Sequence, residues 1–108
     1  MTTKPLTDKI PYYAVIFTST RNDKDEKGYQ QMAGMMENLV RGQPGFLGFD
    51  SARDTFGTGI TVSYWESLES INSWKENTRH REAQKLGKQK WYEQYSIKIC
   101  KVEKEYPI

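Results

Sequence analysis

Apolar and polar positions alternate at the start of this chain. Over residues 12–20, Tyr13, Val15 and Phe17 fall on one side of an extended backbone. Tyr12, Ala14 and Ile16 fall on the other, which predicts a strand covered on both faces. In the charged stretch 21–28, Asp23 or Asp25 suits a helix N-cap. The period then changes. Tyr29, Met32, Ala33, Met36, Leu39 and Val40 recur at helical spacing over about residues 25–41, and Gly42 with Pro44-Gly45 ends the run. Residues 46–53 predict a second strand, with Leu47 and Phe49 set against Phe46 and Gly48. A Gly- and Thr-containing turn over 54–59 leads to a third strand over 60–65, where Ile60, Val62 and Tyr64 oppose Thr61, Ser63 and Trp65.

Ser67 suits the cap of a short helix over about 68–76 carrying Leu68, Ile71 and Trp74. Asn77 or Thr78 suits a restart over about 79–90. In that second helix His80, Ala83, Gly87 and Trp91 share one face. Residues 94–106 predict a last strand in which Tyr95, Ile97 and Ile99 alternate with Lys98, Cys100 and Val102, and the Lys/Glu run over 98–105 reads as a solvated or dimer-edge strand. The order β-α-β-β-α-β is the split-βαβ, ferredoxin-like plan of an α+β domain, with an antiparallel sheet and helices on one face. The other face keeps residues such as Tyr12, Ile16 and Phe46, or their alternates. A second copy stacked on it would make a homodimeric α/β barrel. Residues 1–11, with Pro5 and Pro11, read as an extended N-terminal arm, and 12–108 as the domain.

Composition narrows the function classes. At 108 residues there is room for one domain only, and just 36% of positions are apolar, many of them large aromatics. Such a core is more easily completed against a partner. The net charge of +2 is spread along the chain with no basic stripe, so nucleic acid is not an expected partner. No run approaches the roughly 20 apolar residues of a membrane span. The polar start lacks a signal-peptide core, and Cys100 is alone, so a reducing, cytoplasmic setting is expected.

Residues 64–92 hold all three tryptophans and the single histidine. Aromatic walls beside one titratable imidazole are what a pocket for a flat organic molecule needs, although large rings also pin helices to sheets. His80 is the candidate catalytic base, an imidazole able to take a phenolic proton near neutral pH. Trp74, Trp65 and Trp91 are candidate stacking walls. Phe17, Phe49 and Tyr64 are expected to point to a single side as its floor, and Arg53, at the end of the second strand, is a candidate anion partner or else solvated surface. No HExxH, Walker, GxSxG or GxGxxG pattern is present, and one His with one Cys predicts no metal site.

Several of these elements together resemble the antibiotic biosynthesis monooxygenase family of the dimeric α/β-barrel superfamily. They are the aromatic first strand, Gln43-Pro44-Gly45-Phe46-Leu47-Gly48 and Val62-Ser63-Tyr64-Trp65. The run from Ser67 to Trp74, His80, Ala83-Gln84, Trp91-Tyr92 and the final strand complete the pattern. The resemblance implies a small dimer with a pocket between helices and sheet in each subunit. It also implies oxidation of a small aromatic or quinol-type substrate by molecular oxygen with no cofactor, the deprotonated substrate itself giving the electron. A non-catalytic small-molecule binding or stress-related protein of the same fold is the alternative. Haem-degrading relatives carry an iron-ligating histidine about ten residues after the helix tryptophan. Here that position is Gln84, His80 lies six residues after Trp74, and the first strand reads Val15-Ile16-Phe17-Thr18 without their asparagine, which disfavours haem degradation.

Overall fold

A computed structural model describes residues 5–107. Four strands and three helices follow one another as β1 (Tyr12–Arg21), α1 (Glu26–Arg41), β2 (Phe46–Arg53), β3 (Thr58–Trp65), α2 (Leu68–Glu76), α3 (Thr78–Leu86) and β4 (Tyr92–Val102). The strands form one antiparallel sheet in the order β2-β3-β1-β4, the ferredoxin-like arrangement expected from the element order. No helix among the described residues is long and apolar enough to cross a membrane.

The helix boundaries follow local chemistry. Asp25 caps α1, its side chain accepting the Gly28 N–H at 3.1 Å. Ser67 and Ser70 form a reciprocal capping box at the start of α2. Asn77 both closes α2 and caps α3, its Oδ1 accepting the His80 N–H at 3.1 Å. Between α1 and β2 the chain turns at Gly45, whose φ of +81° is open to glycine. A Cβ there would lie 2.5 Å from the Ser70 Cβ, so the turn packs directly on the start of α2.

Register settles which residues share a face. Tyr13 pairs with Trp65 and Ala14 with Tyr64, while Phe17 pairs with Ile97. The helix side therefore holds Tyr13, Val15, Phe17, Ser63, Trp65, Ile97 and Ile99, and the opposite side holds Tyr12, Ala14, Ile16, Val62 and Tyr64. In β2 the simple alternation breaks. Phe46 pairs with Trp65 and Gly48 with Tyr64, so Leu47 is an extra, bulged residue. Phe46 and Phe49, expected to oppose each other, therefore lie on the same face with ring centroids 6.4 Å apart.

The ends of the last elements also differ from the sequence reading. The second helical stretch, expected to continue to about residue 90, gives way at Gly87–Trp91 to a π-helical turn that swings Trp91 inward. The final strand starts at Tyr92, paired with Arg21, and stops at Val102, paired with Tyr12, rather than covering 94–106. Beyond it, the Glu105 carboxylate is half-buried instead of solvated. It accepts the Tyr12 hydroxyl at 2.7 Å and the Leu6 N–H at 3.1 Å. These contacts bring Leu6 and Glu105 together at the Tyr12 end of the helix-free face. Of the expected N-terminal arm, residues 1–4 lie outside the described residues, and Thr7–Lys9 forms a single 3-10 turn.

Candidate functional site

The aromatic residues of the helix side form two clusters. The first rises from the end of β3. Trp65 is fully buried (0% exposed), with Phe46 edge-on at 5.3 Å. Its Nε1 donates to the Ser63 Oγ at 2.9 Å, so the indole is packed without an unmet polar atom. Trp74, from α2, stacks on it at 6.3 Å and 29°, and His80, from α3, stacks on Trp74 at 4.1 Å and 14°. The result is a column of rings running from the sheet outwards, with the imidazole as its outermost member. His80 Nδ1 lies 3.0 Å from the Trp74 carbonyl oxygen. Burial pushes the imidazole pKa below 6.5, and the bond to that carbonyl opposes the shift without cancelling it.

The second cluster lies at the far end of β1 and takes in Phe17, Tyr29, Trp91, Tyr92 and Tyr95. Tyr92 meets Phe17 at 5.3 Å and Tyr29 at 6.2 Å, and Tyr29 meets Trp91 at 5.8 Å. Two guanidinium groups close it. Arg21 lies 3.9 Å above the Tyr29 ring, and Arg53 donates to the Tyr29 hydroxyl at 3.0 Å. Burial first, and then the neighbouring Tyr29, raises the Tyr92 pKa far above that of a free phenol, so it stays protonated. Gly87 is buried against this cluster, and a Cβ there would lie 2.6 Å from the Tyr92 ring. The space beside the small residues of α3 is thus filled by Tyr92 at that point.

The structure divides the expected site residues accordingly. Trp65, Trp74 and His80 come together, with Phe49 beside them through Phe46. Phe17 and Trp91 belong to the second cluster. Tyr64 departs from the expected single-sided floor. It projects from the opposite face of the sheet, edge-on to Tyr12 at 5.9 Å, and donates to Asp50 Oδ2 at 2.9 Å. The cause is register, because Tyr64 pairs with Ala14 and so takes the parity of Tyr12 rather than that of Phe17. Burial and the Asp50 carboxylate push its pKa up to about 12. Arg53 is held by Tyr29 and by the Gly57 carbonyl at 2.9 Å.

Between the clusters runs α3, packed against α2 and α1. It begins beside Trp74, and the turn after it carries Lys88 over the Tyr95 ring at 5.6 Å. On the helix side of the sheet Val15 and Phe17 are half-buried, but Ile97 and Ile99 remain 46% and 52% exposed. β4 thus leaves an exposed apolar strip on that side. A polar groove of about 590 Å3 lies at the end of the molecule, lined by Arg21, Asp23, Lys24, Asp54, Phe56 and Glu93 among others. Another of about 460 Å3 runs along the outer side of α3 and includes Gln84. Neither is lined by His80, Trp74 or Phe17. Sequence reasoning passed over Tyr29, Arg21 and Tyr92. Tyr29 was visible only as one member of the α1 stripe, and nothing local marks which ring a distant arginine will cover.

A family model described as antibiotic biosynthesis monooxygenase matches residues 11–86. The uncharacterized protein YqjZ of Bacillus subtilis (strain 168) is 46% identical over 99 residues, which cover 92% of this chain and 86% of that protein. Among solved structures, SnoaB, a cofactor-independent oxygenase from Streptomyces nogalater, superposes with a TM-score of 0.76 at 8% identity, covering 91% of this chain and 99% of that one. Rv0793 from Mycobacterium tuberculosis gives a TM-score of 0.77 at 10% identity over 89% of this chain and 99% of that one. At such identities the structural likeness concerns the fold.

Proposed function

The chain belongs to the antibiotic biosynthesis monooxygenase family, and from that premise we propose that it oxidises a small aromatic or quinol-type substrate with molecular oxygen and no cofactor. The observation that carries this reading is the Trp65–Trp74–His80 column, whose outer imidazole stands on the same side of the sheet as the exposed Ile97 and Ile99. A flat substrate lies on Val15, Phe17, Ile97 and Ile99 and meets only the edge of the Trp74 indole, whose two faces carry Trp65 and His80. His80 takes the phenolic proton. With its pKa held below 6.5 by burial, the imidazole is neutral at pH 7 and ready to accept it. The resulting phenolate is the electron donor to oxygen, so the protein's tasks are binding, proton removal and shielding. Tyr64 and Trp91 take no part in this reading: one lies across the sheet, the other packs under Tyr29. The likeness of the fold to SnoaB is consistent with such chemistry.

The working unit of this proposal is a cytoplasmic homodimer. The helix-free face carries Ile16, Val62 and a 46% exposed Ile60, which a second copy would cover. Sedimentation at micromolar concentration is expected to give a dimer. Oxygen uptake with a panel of hydroquinones and anthrones tests the chemistry. At least one compound is expected to be consumed, with His80→Ala slowing it on the order of a hundredfold. Binding of the same compounds with no oxygen uptake would replace the enzyme with a non-catalytic binding protein of the same fold.

A further inference from the structure

We infer that the break between α2 and α3 at Asn77 is a positioning device that ties down His80 Nδ1 and leaves Nε2 as the proton acceptor. This inference rests on the proposed role of His80 and deepens it. A continuous helix through this stretch would use the Trp74 carbonyl for an ordinary bond four residues on. Instead Asn77 adopts an extended conformation (φ −59°, ψ 125°), α2 stops, and the last carbonyls of that helix lose their helical partners. The Trp74 carbonyl takes the Asn77 N–H at 3.1 Å and also faces His80 Nδ1 at 3.0 Å.

A carbonyl oxygen accepts hydrogen bonds and cannot donate them, so the proton of the neutral imidazole belongs on Nδ1. Nε2 then keeps its lone pair and has no hydrogen-bond partner among the described residues. Two further contacts hold the ring in that orientation. The Asn77 Oδ1 accepts the His80 backbone N–H at 3.1 Å, fixing the first turn of α3, and the Trp74 indole lies parallel to the imidazole at 4.1 Å. Asn77 therefore acts on chemistry through His80, as a positioning residue. The Trp74 indole thus sets the plane of the base, and the Trp74 backbone carbonyl chooses its tautomer.

Because His80 is the single histidine, long-range 15N–1H spectra of histidine-labelled protein report its tautomer without ambiguity. The expected result at pH 7.5 is a protonated Nδ1 and a bare Nε2. A protonated Nε2, or an imidazolium at that pH, would overturn the inference whatever the protein oxidises. Asn77→Ala is expected to mix the tautomers and to lower kcat for an oxidised hydroquinone on the order of tenfold with KM little changed, and Asn77→Asp, which keeps a capping oxygen, to restore both. An Asn77→Ala protein with unmixed tautomer and unchanged kcat would also defeat it. Should Asn77→Ala not fold, the wild-type spectrum alone decides. A bare Nε2 in a protein that consumes no phenol would sink the proposed function and leave the positioning intact.

Discussion

The two aromatic clusters under the helices are made of similar residues and do different things with their polar atoms. In the Trp65–Trp74–His80 column the buried indole N–H has its acceptor, and a titratable nitrogen is left open at the outer end. In the Tyr29–Trp91–Tyr92 cluster burial holds the Tyr92 phenol protonated, and guanidinium groups cap Tyr29. There Trp91 Nε1 and Arg21 Nε are buried with no acceptor among the described residues, and the Arg21 side chain is only 8% exposed. Aromatic richness therefore does not mark a site by itself. One cluster ends in an imidazole whose Nε2 has no partner among the described residues, and the other closes on itself.

That contrast can be tested by substitution, starting where the effect is greatest. Trp65→Ala removes the fully buried base of the column and is expected to cost about 3–5 kcal/mol in denaturant unfolding, with loss of the His80 stack. A cost of less than about 1 kcal/mol would mean that the column is not anchored in the core. In the closed cluster, Gly87→Ala places a methyl against the Tyr92 ring while the backbone there is ordinary helix. Overpacking of about 1–3 kcal/mol should follow, and an unchanged unfolding midpoint would reveal slack beside the Tyr92 ring.

The next difference is one of pH. Burial depresses the folded-state pKa of His80 below the 6.5 of a free imidazole, so the unfolded chain binds the proton more readily. Its contribution to stability is complete above pH 6.5. It declines as pH falls through the depressed folded-state value and levels off below it. Melting temperatures followed from pH 8 to pH 5 should show this decline in the wild type and a flatter course in His80→Gln. Parallel curves would place His80 in a more solvated setting than the column implies. The smallest effect belongs to Trp91→Phe. It removes an N–H with no acceptor among the described residues while keeping an aromatic ring, and should change stability by less than about 1 kcal/mol. A loss of several kcal/mol would reveal a partner for that N–H.

Much of the architecture was legible along the chain because it depends on near neighbours. Ser67 and Asn77 cap helices through backbone groups three residues on, and the Pro44-Gly45 turn needs only a glycine with positive φ. The period change from two to 3.6 and back located every strand and helix within a few residues. The ends of the last helix and the last strand escaped, because Trp91 is drawn inward by Tyr29 and Glu105 by Tyr12, both distant in sequence.

The sequence by itself determined the element order, the caps and the fold class, because periodicity and capping act between residues a few positions apart. Only the tertiary structure decided which aromatic residues meet. One bulged residue at Leu47 brought Phe46 and Phe49 to the same face, and the pairing of Tyr64 with Ala14 sent its hydroxyl to the other side of the sheet. Face and cluster depend on register between strands far apart in the chain. A shift of a single position there reverses every side chain, and no local pattern encodes it.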